Sequence, residues 1–148
     1  VVRSSAVQVG KRTGATPDGR RAGEPLAYSL SAHQGRDVEG VTAMLKSLAH
    51  LPHGRAAGAS AAIIDLDPLL VAGEAGLERL VQLIRAAIDL GVGQLQFNVT
   101  TVERLRLAQA EPEKYGNLPV RVAGYSQKFR LLSPELQEVV IARTKHRG

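Results

Sequence analysis

The spacing of apolar residues changes character at Val41. Beyond it the chain switches repeatedly between two periods. Val41, Met44, Leu45, Leu48 and Ala49 recur at helical spacing and predict a first helix. Residues 50–60, rich in Gly and Ala, read as a loop. Ala62-Ile63-Ile64-Asp65-Leu66 follows as a short strand, ended by Asp67-Pro68. Leu77, Leu80, Val81, Ile84, Ala87 and Ile88 mark the clearest amphipathic helix, stopped at Gly91. Leu95, Phe97 and Val99 then alternate with Gln94, Gln96 and Asn98, as the two faces of a strand do. Thr100-Thr101-Val102-Glu103 has capping-box spacing and opens a helix running to about Ala110. Leu118, Val120 and Val122 alternate again. Ser133-Pro134-Glu135 supplies an N-cap serine, a proline at the first helical position and an acid in the first turn of a last helix. Strand and helix in turn predict an α/β arrangement.

The first 40 residues follow neither period. They hold six of the fifteen glycines (10, 14, 19, 23, 35 and 40), and Val7 and Val9 suggest a short strand at most. Thr16-Pro17-Asp18-Gly19 has turn chemistry, because proline fixes φ and glycine supplies a positive one. So long an irregular stretch is uncommon in a compact domain unless it is functional or disordered. The expected organisation is an irregular Gly- and Arg-rich segment over 1–40, mobile when alone, and a folded domain over 41–148.

Composition narrows the function classes. At 148 residues, 44% apolar and 22% charged, the chain is long enough for one core. No apolar run reaches the length of a bilayer span, and no signal-peptide pattern opens the chain. It begins with Val1 rather than methionine, which suggests a piece of a longer protein or a processed product. The net charge of +5 raises the question of nucleic acid. The basic residues are scattered, however, and the aromatic set is only Tyr28, Phe97, Tyr115, Tyr125 and Phe129. A solvated or subunit-facing basic surface fits better. There is no cysteine, hence no disulfide and no thiolate metal site.

One segment stands apart. The strand over 118–123 stops at Gly124 and passes into the polar, aromatic-flanked turn Tyr125-Ser126. Upstream stand Thr16-Pro17-Asp18-Gly19-Arg20-Arg21-Ala22-Gly23-Glu24-Pro25-Leu26-Ala27, Gly35-Arg36-Asp37, Leu45-Lys46-Ser47 and Gln96-Phe97-Asn98-Val99, with Ile141-Ala142-Arg143-Thr144 downstream. In this order the segments resemble the carboxyl-terminal portion of the glycyl radical enzymes, the family that includes pyruvate formate-lyase. The resemblance spans nearly the whole chain. It implies the carboxyl-terminal part of that family's β/α barrel, with a glycine loop at 121–129 after the last strand. It also implies that Gly124 carries a radical, within a loop formed by Arg121, Val122, Ala123, Tyr125 and Ser126.

The residue type suits that role. An unpaired electron on an α-carbon spreads onto the adjoining amide only if the centre is planar. A Cβ would crowd that form, and glycine lacks one. The competing reading is a glycine that merely ends a strand. The other segments, in register, favour the radical. Tyr125 and Phe129 are placed to shield the loop, and Arg121 should face opposite Val120 and Val122 and form a salt bridge.

Further expectations come from the resemblance alone. No cofactor is bound; the radical is installed by a partner activase that uses S-adenosylmethionine and an iron–sulfur cluster. The radical then passes to a cysteine in a catalytic barrel portion that this chain does not contain, so the chain is not competent alone. The implied setting is an oxygen-free cytoplasm, with neither nucleic acid nor membrane as partner. Residues 1–40 would dock on the barrel. A free-standing radical subunit that repairs an oxygen-damaged enzyme is the alternative, and a basic binding module without a radical is the reading from another class. Tyr28-Ser29 and Gln127-Lys128-Phe129 depart from the family's usual pattern, and Gln127-Lys128-Phe129 with Ile141-Ala142-Arg143-Thr144-Lys145-His146 carries a hint of the arylsuccinate and alkylsuccinate synthases.

Other candidates are weaker. His50-Leu51-Pro52-His53 reads as loop histidines rather than half a metal site. Asp65 and Asp67 share a strand face but fit a strand end followed by a turn aspartate. Gly54-Arg55-Ala56-Ala57-Gly58 lacks the lysine and hydroxyl of a phosphate loop, and no nucleophile elbow surrounds Ser126.

Overall fold

The computed structural model describes residues 5–55, 61–143 and 145–147. Thr144 and residues 56–60 of the expected loop and of the rejected phosphate-loop motif lie outside them. The organising strand is β1 (Ala61–Leu66), every residue of which is buried. It pairs in parallel with β2 (Gln94–Val99) on one edge and with the short β5 (Lys145–His146) on the other, giving the order β2-β1-β5. A separate antiparallel hairpin joins β3 (Pro119–Arg121) to β4 (Ser126–Lys128). The α/β arrangement expected from the alternation is what the chain adopts.

The sheet separates two apolar layers. Ala62, Ile64 and Leu66 face Met44, Leu45 and Leu48 of helix α2 (Val41–Ala49) and Ala87 of helix α3 (Gly73–Asp89). Ile63 faces the other way, into a cluster of Leu105, Ala108, Val120, Val122, Phe129, Val140 and Ile141. That cluster draws on α4 (Val102–Ala110), α6 (Pro134–Ile141) and the hairpin. The short helices α1 (Ala6–Gly10) and α5 (Pro112–Tyr115) complete the set.

Several ends follow the sequence signals. Ser133 accepts from the Leu136 amide, with Pro134 opening α6. After α3, the amides of Gly91 and Val92 return to the carbonyls of Ile88 and Ala87, and Gly91 takes φ +73°. This is the double return bond of a helix closed by a left-handed glycine. Gly19 donates to Thr16 O at 3.1 Å with φ +92°, the expected turn.

Others differ. Val7 and Val9 lie in helix α1, not a strand, because a two-residue alternation is too short to distinguish the periods. The cap of α4 is Thr101, which accepts from the Arg104 amide at 3.1 Å, one residue later than the Thr100-to-Glu103 spacing implies. The apolar residues of α3 divide between two faces. Leu80, Leu83 and Ala87 pack on the sheet, while Leu77, Val81, Ile84 and Ile88 form a second stripe, 60%, 39%, 38% and 68% exposed. In β2 the polar face is the more buried one: Gln96 and Asn98 are each 6% exposed and Val99 is 45% exposed.

The irregular amino-terminal segment is anchored over its described part. Tyr28 is buried in the core, Leu30 N donates to Ala61 O at 3.0 Å, and Ser31 Oγ accepts from Ile63 N at 2.8 Å. These contacts occupy the edge of β1 that β5 is too short to cover. Buried Arg20 ties its own turn together by donating to the carbonyls of Gly14, Arg21 and Glu24.

Gly76 tests the packing of α3. Helix propensity alone predicts that Gly76→Ala gains about 1 kcal/mol. A Cβ there would lie 2.3 Å from the Val71 carbonyl carbon, a backbone atom that cannot swing away. Overpacking of this kind costs about 1–3 kcal/mol. Urea unfolding should therefore show Gly76→Ala to be destabilised.

Candidate functional site

Strand register builds the site. Asp65 lies opposite Asn98 on β2 and opposite Lys145 on β5, so three polar residues stand in a row on the face turned toward the hairpin. Asp65 Oδ1 accepts from Asn98 Nδ2 at 2.7 Å, and Asp65 Oδ2 lies 2.9 Å from Lys145 Nζ. Lys145 also donates to the carbonyls of Val140 and Arg143 at 2.9 and 2.8 Å. Burial pulls the Lys145 ammonium below the usual lysine range, and the neighbouring Asp65 carboxylate opposes that shift.

Arg143 crosses from this row to the hairpin. It is 5% exposed, 4.0 Å from Asp65 Oδ1, and its guanidinium lies 3.9 Å from the centre of the Tyr28 ring. Its Nη1 donates to Arg121 O and its Nη2 to Val122 O, each at 2.7 Å. This is the fork geometry for which arginine is suited, spent on two successive carbonyls. Burial drives the Tyr28 hydroxyl far above the usual tyrosine range, while Arg143 pulls it the other way. Tyr28 therefore serves as a neutral ring beneath the cation.

The clamped backbone leads directly to Gly124. Val122 N donates to Tyr125 O at 2.9 Å, closing a tight turn with Gly124 at φ +95°. That conformation favours glycine, and a side chain there costs about 1–2 kcal/mol. Val122 and Ala123 are 1% and 2% exposed, whereas Gly124 itself is exposed. The hairpin thus has a buried stem and an open tip.

The expected loop residues occupy distinct places. Arg121 does face opposite Val120 and Val122, but its Nη1 meets Ser126 Oγ at 3.2 Å instead of a carboxylate. Phe129 is fully buried in the cluster that holds Val122 and Ala123, beneath the stem. Tyr125 is 39% exposed. Asp67 caps the turn after β1 by accepting from Leu69 N at 3.0 Å, the turn role expected of it. His50 and His53 bond to the carbonyls of Lys46 and Leu48, and among the described residues no group of His, Asp and Glu could hold a metal ion. Asn98, Arg143, Lys145 and Tyr28 were not legible as site residues. An aspartate in an otherwise apolar central strand was the available signal.

A family model described as glycine radical matches residues 26–130, which include the hairpin and its glycine. The chain belongs to the glycine radical family. It is 46% identical over 145 residues to isethionate sulfite-lyase of Bilophila wadsworthia, and 39% identical over 144 residues to the probable dehydratase YbiW of Escherichia coli, covering 97% of this chain in both cases. The glycyl radical relatives are much longer, and this chain spans only 18% of either protein. Among solved structures it superposes with a TM-score of 0.92 and 43% identity on the B12-independent glycerol dehydratase of Clostridium butyricum, over 96% of this chain and 18% of that one. A glycyl radical enzyme of Archaeoglobus fulgidus matches with a TM-score of 0.90 and 41% identity, over 97% of this chain and 18% of that one. The fold is therefore that of the glycine radical portion of these enzymes. These relatives are named as a sulfite-lyase, two dehydratases and a glycyl radical enzyme, which adds no support to the hint of arylsuccinate and alkylsuccinate synthases.

The buried charges make a separable prediction. Removing one partner of a buried ionic group costs about 3–5 kcal/mol, because the others lose their compensation. Asp65→Ala should show a loss of this size in denaturant unfolding. Arg121→Ala, which removes one exposed contact, should stay within about 0.5 kcal/mol.

Proposed function

We propose that Gly124 is the radical-bearing residue and that the chain is the radical-storing portion of a glycyl radical enzyme of the lyase or dehydratase type. The observation that carries this reading is the exposed, positive-φ glycine at the tip of a hairpin whose stem is buried and clamped. An activating enzyme must reach one Cα–H bond, while the peptide around it must stay still enough to keep the radical centre planar.

In this reading the domain over 41–148 carries the loop at 121–129, and the segment over 1–40 meets the catalytic portion on its outer side. A radical S-adenosylmethionine activase takes one hydrogen atom from Gly124, breaking the Cα–H bond homolytically and leaving one unpaired electron. Hydrogen-atom transfer from a cysteine thiol of the catalytic portion would then restore the glycine and leave a thiyl radical for the substrate. This chain has no cysteine, so it stores the radical and does not turn over substrate unaided. The exposed stripe of Leu77, Val81, Ile84 and Ile88 fits a surface covered within a larger protein. No described helix is long and apolar enough to cross a membrane. An oxygen-free cytoplasmic setting suits the radical's reactivity.

A second reading is a free-standing subunit that replaces an oxygen-damaged segment. The anchoring of the amino-terminal segment through Tyr28, Leu30 and Ser31 favours it.

Electron spin resonance after anaerobic treatment with an activase and reductant tests the site. The wild type should give a carbon-centred doublet from the remaining α-hydrogen, and Gly124→Ala should give none. A doublet that survives in the variant places the radical elsewhere.

Air admitted to the activated protein supplies an independent check. Cleavage should occur at Gly124 and yield a piece beginning near Tyr125, visible by mass spectrometry once the protein is denatured. An intact chain, in a sample whose radical had been measured beforehand, would contradict the assignment.

A further inference from the structure

We propose that Asn98 is a positioning residue for the glycine loop, its side-chain amide acting as the strand that β3 lacks on its free edge. The proposal rests on the assignment of Gly124 for its functional meaning, though not for its structural test. The β3–β4 sheet has only two strands among the described residues, so β4 covers one edge of β3 and leaves the other outside any backbone ladder. Asn98 supplies both halves of the missing ladder to one residue. Its Oδ1 accepts from Arg121 N at 2.7 Å, and its Nδ2 donates to Arg121 O at 3.3 Å. An amide is the neutral side chain that offers an acceptor and a donor in one plane, as a peptide group does.

Asp65 decides which way that amide points. An ionised carboxylate only accepts, so the nitrogen of Asn98 must face Asp65 Oδ1, 2.7 Å away. The oxygen is then left toward Arg121 N–H. The strand register that sets Asp65 beside Asn98 thereby selects the amide orientation that β3 requires. Asn98 is 6% exposed, so water offers little substitute for either bond.

Arg121 is three residues ahead of Gly124, and the Val122–Tyr125 bond closes the turn in between. Fixing Arg121 therefore fixes the origin from which the glycine tip projects. Arg143 shares the Arg121 carbonyl, whereas Asn98 holds both the carbonyl and the amide of that residue. Asn98 touches no reacting atom and acts through Arg121.

Hydrogen exchange on the 148-residue chain tests the role. Asn98→Ala removes the acceptor and the donors. Asn98→Ser keeps a hydroxyl that serves Arg121 or Asp65 but not both as the amide does, and because it buries no second carboxylate it guards against a variant that fails to fold. Each should speed exchange of amides 121–125 by about tenfold or more, the factor that accompanies loss of roughly 1.4 kcal/mol of local stability. Amides of α2 and α3, on the opposite face of the sheet, should be unchanged. Unaltered exchange at 121–125 in both variants overturns the proposal, as does equal acceleration throughout α2 and α3, which would mark general loosening. After activation, both variants should give a broadened doublet, reflecting several loop geometries. A doublet as sharp as that of the wild type would also overturn it. Failure of the wild type to form any radical sinks the assignment of Gly124 alone, and the exchange result still decides the positioning role.

Discussion

A carboxylate in the middle of a buried strand is the constraint around which this molecule is arranged. Asp65 is 3% exposed on a strand whose other residues are apolar. A charge so placed is costly unless it is paired and hydrogen-bonded. Its three partners come from two distant points of the sequence: Asn98 on β2, and Lys145 on β5 with Arg143 just before it. Each of the three also serves the backbone. Asn98 and Arg143 take the peptide groups leading to the glycine turn, and Lys145 takes two carbonyls at the end of α6. Satisfying one buried charge thus assembles the sheet edge, the last helix and the hairpin around a common centre.

The two faces of the sheet divide the work. Toward α2 and α3 the strands present Ala62, Ile64, Leu66, Leu95 and Phe97, and cohesion there is apolar and non-directional. Toward the hairpin they present Ile63 with Gln96, Asn98 and Asp65, and the contacts are directional. An apolar contact tolerates a small slide, whereas a bidentate hydrogen bond does not. The face that carries the glycine loop is the one built from the less forgiving interaction.

Much of this arrangement was legible in the chain, for identifiable reasons. Helix α2, strand β1 and the Ser133-Pro134 start of α6 arise from local period and capping chemistry, which depend on residues a few positions apart. The glycine turn was legible because an alternating apolar run leads to Gly124, although the strand expected over 118–123 is shorter than that run and covers only Pro119–Arg121, since the Val122–Tyr125 bond already closes the turn. Errors arose where the deciding partner is remote. Asn98 reads only as part of the polar face of β2, and Arg121, 23 residues later, provides the bonds that justify its burial. Arg143 reads only as part of the segment Ile141-Ala142-Arg143-Thr144, with no role of its own, although it meets Asp65, Tyr28 and two hairpin carbonyls. In α3 a stripe wide enough for two faces cannot be told by period from one broad face, and the structure divides it. Val7 and Val9 failed through brevity.

The position of β5 governs how the chain beyond Gly124 is held. The described segment after that residue is tied to what precedes it by contacts that do not use the intervening chain. Lys145 and His146 pair with β1, Arg143 grips the carbonyls of residues 121 and 122, and Glu138 meets Arg106 and Gln109 of α4. Lys11 reaches Glu135 from the far end of the sequence. The hairpin tip is therefore a covalent bridge between two halves that are already joined. A break there would cut the thread and leave the knot tied: the short piece stays seated, and native size or shape would not register the loss.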